Sequence, residues 1–191
     1  DISLKKNMNT IDQFSFLDKK AIIRVDFNVP LNNGKVTDNS RIVAASPTIK
    51  KIISDGGSCV LMSHLGRPKG VDQSLSMGNI AKEVERVLGS EILLSKDVVG
   101  PDAKSKSKNL KPGEILLLEN LRFHNEETEG DVVFAEELSK LADCYINDAF
   151  GTAHRAHAST TIIAQFFEDK FFGKLLEKEV LSIDKVMKSG E

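Results

Sequence analysis

The chain has 191 residues, 40% of them hydrophobic and 28% charged, with a formal net charge of −2. That is enough chain for one domain with a real core, and it lacks the basic excess of nucleic-acid or membrane-surface proteins. No apolar run approaches the ~18–20 residues that span a bilayer, residues 1–7 do not resemble a signal peptide, and Cys59 and Cys144 lie in apolar runs without metal-ligand spacing, so two buried thiols in a cytoplasmic protein are expected.

Residues 21–25 (Ala-Ile-Ile-Arg-Val) read as a first buried strand. Residues 40–54 follow with a helical pattern, in which Pro47 is expected to introduce a kink or mark a first turn. Residues 59–62 form the next apolar run; Ile80, Val84, Val87 and Leu88 then recur at helical spacing. After a third run at 92–94, the polar stretch 100–113, with Lys104, Lys106, Lys108 and Lys111, reads as a solvated loop or helix face. Residues 115–118 are a fourth strand, Phe134, Leu138 and Leu141 mark another helix, and residues 144–146 are a fifth strand. Leu176, Val180, Ile183 and Met187 form a stripe along a last helix that needs a surface to pack on. The apolar runs are continuous rather than alternating, as in strands covered on both faces. Their alternation with helices predicts an α/β, Rossmann-like open parallel sheet with helices on both faces.

Arginine carries the functional signal. Lysine and arginine together number 26, yet only six are arginine: Arg24, Arg41, Arg67, Arg86, Arg122 and Arg155. Arg86 belongs to a helix surface. The other five lie in or just after predicted strands, and so do all four histidines, His64, His124, His154 and His157. In an open parallel sheet the carboxyl ends of the strands share one edge, where ligands bind. Forked, permanently charged donors gathered there suit bidentate recognition of phosphate or carboxylate, so the expected ligand is a small, phosphorylated anion. Taken singly, Arg24 is expected to pair with Asp26 or another acid, and His124 to cap a turn. His154 and His157 lack a third ligand, so no metal is expected. Neither G-x-x-x-x-G-K-[ST] nor G-x-G-x-x-G occurs, which leaves no recognisable nucleotide site.

Four stretches carry a resemblance: Arg24-Val25-Asp26-Phe27-Asn28-Val29-Pro30-Leu31; residues 63–68; Leu117-Leu118-Glu119-Asn120-Leu121-Arg122-Phe123-His124; and residues 147–157, Asn-Asp-Ala-Phe-Gly-Thr-Ala-His-Arg-Ala-His. In order and spacing they resemble the N-terminal, 3-phosphoglycerate-binding half of the phosphoglycerate kinases. The resemblance implies an α/β domain over residues 1–172, an interdomain helix or hinge over 173–191, and a nucleotide-binding domain that this chain lacks. It implies phosphoryl transfer between 1,3-bisphosphoglycerate with ADP and 3-phosphoglycerate with ATP. Mg2+ would accompany the nucleotide in the full-length, monomeric enzyme, and neither would be bound by this half alone. Carried over by residue, Asp26 and Asn28 would contact the hydroxyl region of the substrate. His64, Arg67, Arg122 and Arg155 would hold its 3-phosphate. Arg41 would face the reacting carboxylate and the phosphoryl group in flight, while Arg24, His154 and His157 would support the basic patch. Where the family more often has a serine pair after the last histidine, this chain has Ala158-Ser159-Thr160. The alternative is a stand-alone anion-binding regulatory module on the same fold, which fold alone does not exclude.

Overall fold

A computed structural model describes residues 9–153 and 155–189. Its centre is a seven-stranded sheet: β1 (Asn9–Thr10), β2 (Lys20–Arg24), β5 (Ser58–Met62), β6 (Leu93–Leu94), β7 (Ile115–Leu117), β8 (Cys144–Asn147) and β9 (Lys170–Phe172). Its order is β1-β9-β8-β2-β5-β7-β6, and every neighbouring pair is parallel. A short hairpin, β3 (Leu31–Asn32) with β4 (Lys35–Val36), stands apart from it.

The period of two along each strand divides the core. Ala21, Ile23, Cys59, Leu61, Ile115, Leu117, Cys144 and Ile146 face one layer, with α1 (Ser40–Ser54) and α2 (Ala81–Leu88). Ile22, Val60, Met62, Leu116 and Tyr145 face the other, with α3 (Pro101–Lys108) and α5 (Val132–Ser139). Both faces are therefore apolar, which is why the strands read as unbroken runs. The same alternation turns Arg24 toward the side of Ile22. Both cysteines are free and buried, and burial raises both thiols, Cys144 to about 12.

Pro47 lies inside α1, which runs unbroken from Ser40 to Ser54. The polar stretch after residue 100 is a helix with its lysines outward: Lys104 pairs with Glu137 and Lys106 with Asp102. No helix among the described residues is long and apolar enough to cross a membrane.

The last helix, α6 (Lys174–Ser189), docks by its first turn. Lys174 N–H donates to Thr48 Oγ1 at 2.9 Å. Leu175 and Leu176 N–H both donate to Asp148 Oδ1, at 3.0 and 3.1 Å. Two other segments thus satisfy donors that a helix start leaves free. Gly173 is required by close approach, because a Cβ there would collide with the Asp148 carboxylate. Of the expected stripe, Leu176 is buried, whereas Ile183 is 43% exposed and Leu181 beside it 57%. The side chains of Val180 and Met187 lie outside the described set.

Asp148 Oδ2 is buried without a hydrogen-bond partner among the described residues. Burial pushes this carboxyl up to about 6, against the opposing pull of Thr48 and the two helix N–H groups. A raised carboxyl loses its proton first in the unfolded chain. Its contribution to stability is therefore fully present below about pH 4 and is lost as pH rises through about 6. At 1.36 kcal/mol per pKa unit the loss is on the order of 3 kcal/mol. Urea denaturation of the wild type and Asp148→Asn at a series of pH values should show it. The stability of the wild type relative to the variant is expected to fall between about pH 4 and about pH 7; a constant difference would refute the assignment.

Candidate functional site at the carboxyl edge of the sheet

The loops after β2, β5, β7 and β8 meet at one edge, held by buried polar side chains. Phe27 N–H donates to Ser63 Oγ at 2.9 Å, and the Ser63 hydroxyl donates to His64 O at 2.9 Å, joining the first loop to the second. Gly66 N–H donates to Asn28 Oδ1 at 2.8 Å. Gly66 has φ +63°, and a Cβ there would sit 2.8 Å from Leu75, so only glycine fits this turn comfortably. Fully buried Asn120 joins the second loop to the third: its Oδ1 accepts from Leu65 and Arg122 N–H, and its Nδ2 donates to Leu65 and Leu75 carbonyls. Glu119 accepts from the Ser76 hydroxyl and from Met77 N–H, both at 2.7 Å.

Two groups of the expected residues emerge. In the first, Arg41 Nη1 lies 3.2 Å from Asp26 Oδ1 and 2.8 Å from Asn28 O, with the arginine side chain 52% exposed. Asn28 has a second task here, since its side-chain carbonyl holds the Gly66 turn. The second group is cationic. His64 is buried, and burial together with the charges of Arg24, Arg122, His157 and Arg155 pushes its pKa down to about 2. Arg122 is lowered by burial and by Arg24, Arg155 and Arg67, against Glu127. His157 is lowered by burial and by Arg122, Arg155 and Arg24, again against Glu127. These mutual repulsions mark one cluster of like charges. Arg67 and Arg155 are exposed, and among the described residues neither they nor Arg122 has a carboxylate within 4.0 Å. Arg122 Nε and His157 Nδ1 are buried without hydrogen-bond partners among those residues.

Other expectations resolve differently. Arg24 is 0% exposed, and its hydrogen bonds run to Ser159 Oγ, Val25 O and His64 Nδ1 instead of directly to an acid. The nearby charges of Glu127 and Asp26 oppose the lowering that burial imposes on it. His124 makes no side-chain cap and packs on Phe134, ring centroids 5.3 Å apart. Arg86 is an exposed partner of Glu83. His154 lies outside the described residues. Among the described residues no three His, Cys, Asp or Glu side chains are placed to hold a metal ion.

Sequence reasoning missed Glu127, Ser159, Asn120 and Ser63. Glu127 sits in the acidic run Asn125-Glu126-Glu127-Thr128-Glu129 of α4 (Asn125–Glu129), which reads as a solvated helix face. It is nevertheless 0% exposed, and it accepts from Ser159 N–H at 2.8 Å and from the Ser159 hydroxyl.

Comparison with known proteins adds lineage to this geometry. The family model described as phosphoglycerate kinase matches residues 11–191. The phosphoglycerate kinase of Porphyromonas gingivalis is 48% identical over 205 residues, an alignment covering 93% of this chain and 49% of that protein. That of Moorella thermoacetica is 49% identical over 183 residues, covering 95% and 46%. The solved phosphoglycerate kinase of Pyrococcus horikoshii OT3 superposes with a TM-score of 0.85 at 33% identity, covering 93% of this chain and 45% of that one. For the Coxiella burnetii structure the values are 0.81, 34%, 91% and 43%. The chain spans about half the length of the curated relatives it matches. With the family model and these relatives in agreement over nearly all of its residues, the chain belongs to the phosphoglycerate kinase family.

Proposed function

We propose that this chain supplies the 3-phosphoglycerate half-site of a phosphoglycerate kinase that moves a phosphoryl group between 1,3-bisphosphoglycerate with ADP and 3-phosphoglycerate with ATP. The observation that carries the reading is the cluster of arginines at the sheet's carboxyl edge without carboxylate partners among the described residues. Such a cluster is stabilised by an anion, and Arg67, Arg122 and Arg155 offer forked donors for the 3-phosphate. Asp26 and Asn28 stand toward the substrate's hydroxyl and Arg41 toward its carboxylate; Arg24 and His157 support the patch. The stand-alone regulatory module finds no support among the relatives.

The chemistry needs little beyond placement. The substrate carboxylate is ionised at neutral pH and requires no general base. Its oxygen attacks the terminal phosphorus of ATP as the bond to the β-phosphate oxygen breaks and ADP leaves. Catalysis then rests on alignment and charge neutralisation, with Arg41 neutralising the transferring group. The cationic donors described at this edge do not suit Mg2+, so the metal and the nucleotide are assigned to the remaining length of the relatives. Residues 173–191 serve as the hinge that brings the two half-sites together and excludes water. The enzyme works as a cytoplasmic monomer.

Binding tests the reading directly. Titration of the chain with 3-phosphoglycerate, followed by NMR, should shift signals of the four edge loops with salt-sensitive affinity. Arg67→Ala and Arg122→Ala should each weaken binding by roughly 1.5–3 kcal/mol, the range for a charged hydrogen bond, while Arg86→Ala changes nothing. Unaltered binding in both edge variants would place the site elsewhere.

Turnover is the second test. A coupled assay on the purified chain should stay at background with ATP and 3-phosphoglycerate. In the full-length enzyme, Arg41→Ala should lower kcat far more than it raises KM, because its contact strengthens as charge moves onto the phosphoryl group. A change confined to KM would restrict Arg41 to ground-state binding.

A further inference from the structure

Behind the cationic cluster runs a buried chain of hydrogen bonds with a defined direction. The Glu127 carboxylate accepts from both the N–H and the hydroxyl of Ser159. With its only hydroxyl proton given to Glu127, Ser159 Oγ is left to accept, and Arg24 Nε–H donates to it at 2.9 Å. Arg24 Nη2 lies 2.8 Å from His64 Nδ1. A guanidinium has donors and no acceptor, so Nδ1 must be the accepting, unprotonated nitrogen, and the ring proton belongs on Nε2. Glu127, Arg24 and Ser159 are each fully buried, so water does not compete with these links.

We infer that Glu127, Ser159 and Arg24 are positioning residues that lock His64 as the neutral Nε2–H tautomer, so that His64 offers the ligand a single uncharged donor and no positive charge. The inference rests on the phosphate-site reading for the ligand's identity, but the state of the ring follows from the hydrogen bonds alone. Burial and the surrounding cations Arg24, Arg122, Arg155 and His157 all disfavour an imidazolium. Asp26 and Glu127 are the acids whose charges act on Arg24 beneath the ring. A histidine beside a phosphate would ordinarily gain a proton as the dianion binds. Here that proton would have to enter Nδ1, where the Arg24 N–H already stands, and two donors would collide. His64 thereby adds no charge to the site, and binding should show no titration of this ring.

The test is 15N NMR of the histidine rings in the intact chain, from about pH 5 to about pH 8, with and without 3-phosphoglycerate. His64 should show protonated Nε2 and unprotonated Nδ1 throughout, in both states. A second sample carries Arg24→Met together with Glu127→Gln, removing both buried charges at once so that neither is stranded. In it the ring stays buried and neutral, but the donor that fixed Nδ1 is gone, so His64 should populate both neutral tautomers. An imidazolium or an Nδ1–H ring in the wild type overturns the proposal, with no variant needed. So does a double variant whose ring remains locked. Failure of 3-phosphoglycerate to shift any edge-loop signal would instead refute the half-site reading, while the ring state of the free chain still decides this one.

Discussion

A full positive charge is buried at the end of the central strand, and the upper edge of the molecule is arranged around it. Arg24 has no access to water. Two like charges about 6 Å apart at an effective dielectric of about 20 repel by roughly 3 kcal/mol, so each further arginine brought to this edge works against the first. A buried cation is tolerated only when its donors are satisfied and its charge is balanced. Ser159, His64 and the Val25 carbonyl meet the first condition, and Glu127, with Asp26, meets the second. Arg24 is thus a pillar beneath the other cations of this edge. Glu127 tempers the same repulsion for Arg122 and His157.

The loops around that pillar are held by amides as much as by charges. Asn28 and Asn120 each bridge segments distant in sequence, substituting for the backbone ladder that ends with the strands. This is how irregular loops stay ordered beside a crowded set of cations, where every polar group taken out of water needs a partner. It also gives Asn28 a structural claim on the position that the family resemblance assigned to substrate.

The fold was legible because burial on both faces leaves strands as plain apolar runs. Five strands, the helices at Ser40, Ala81, Val132 and Lys174, and the edge on which the arginines gather all followed from that pattern. The last two strands on one flank did not. β1 and β9 have two and three residues, too few to show a period, and their pairing joins opposite ends of the described chain. The β3–β4 hairpin turns at Asn33-Gly34, both with positive φ, which is a sequence signal flanked by too little strand on either side. At the site, the arginines were legible because their scarcity among lysines sets them apart. Glu127 was not: in a run of acids, nothing local distinguishes the one carboxylate that turns inward, since its partner Ser159 lies 32 positions away.

The parallel pairing of β1 with β9 has a consequence for biosynthesis. Asn9 and Thr10 pair with Phe171 and Phe172, across about 160 residues of intervening chain. At a synthesis rate of roughly 5–20 residues per second, the ribosome needs on the order of ten to thirty seconds between the two. Through that interval the first strand has no native partner to pair with, and β2 waits nearly as long for β8. Sheets closed by such distant pairings fold slowly and leave strand edges uncovered in the meantime. The nascent chain therefore passes through a period in which the growing sheet has an open flank beside β2, available to chaperones or to other unfinished chains; β8 covers it first, and the flank is completed only when β9, ending at Phe172, has emerged to pair with β8 and β1.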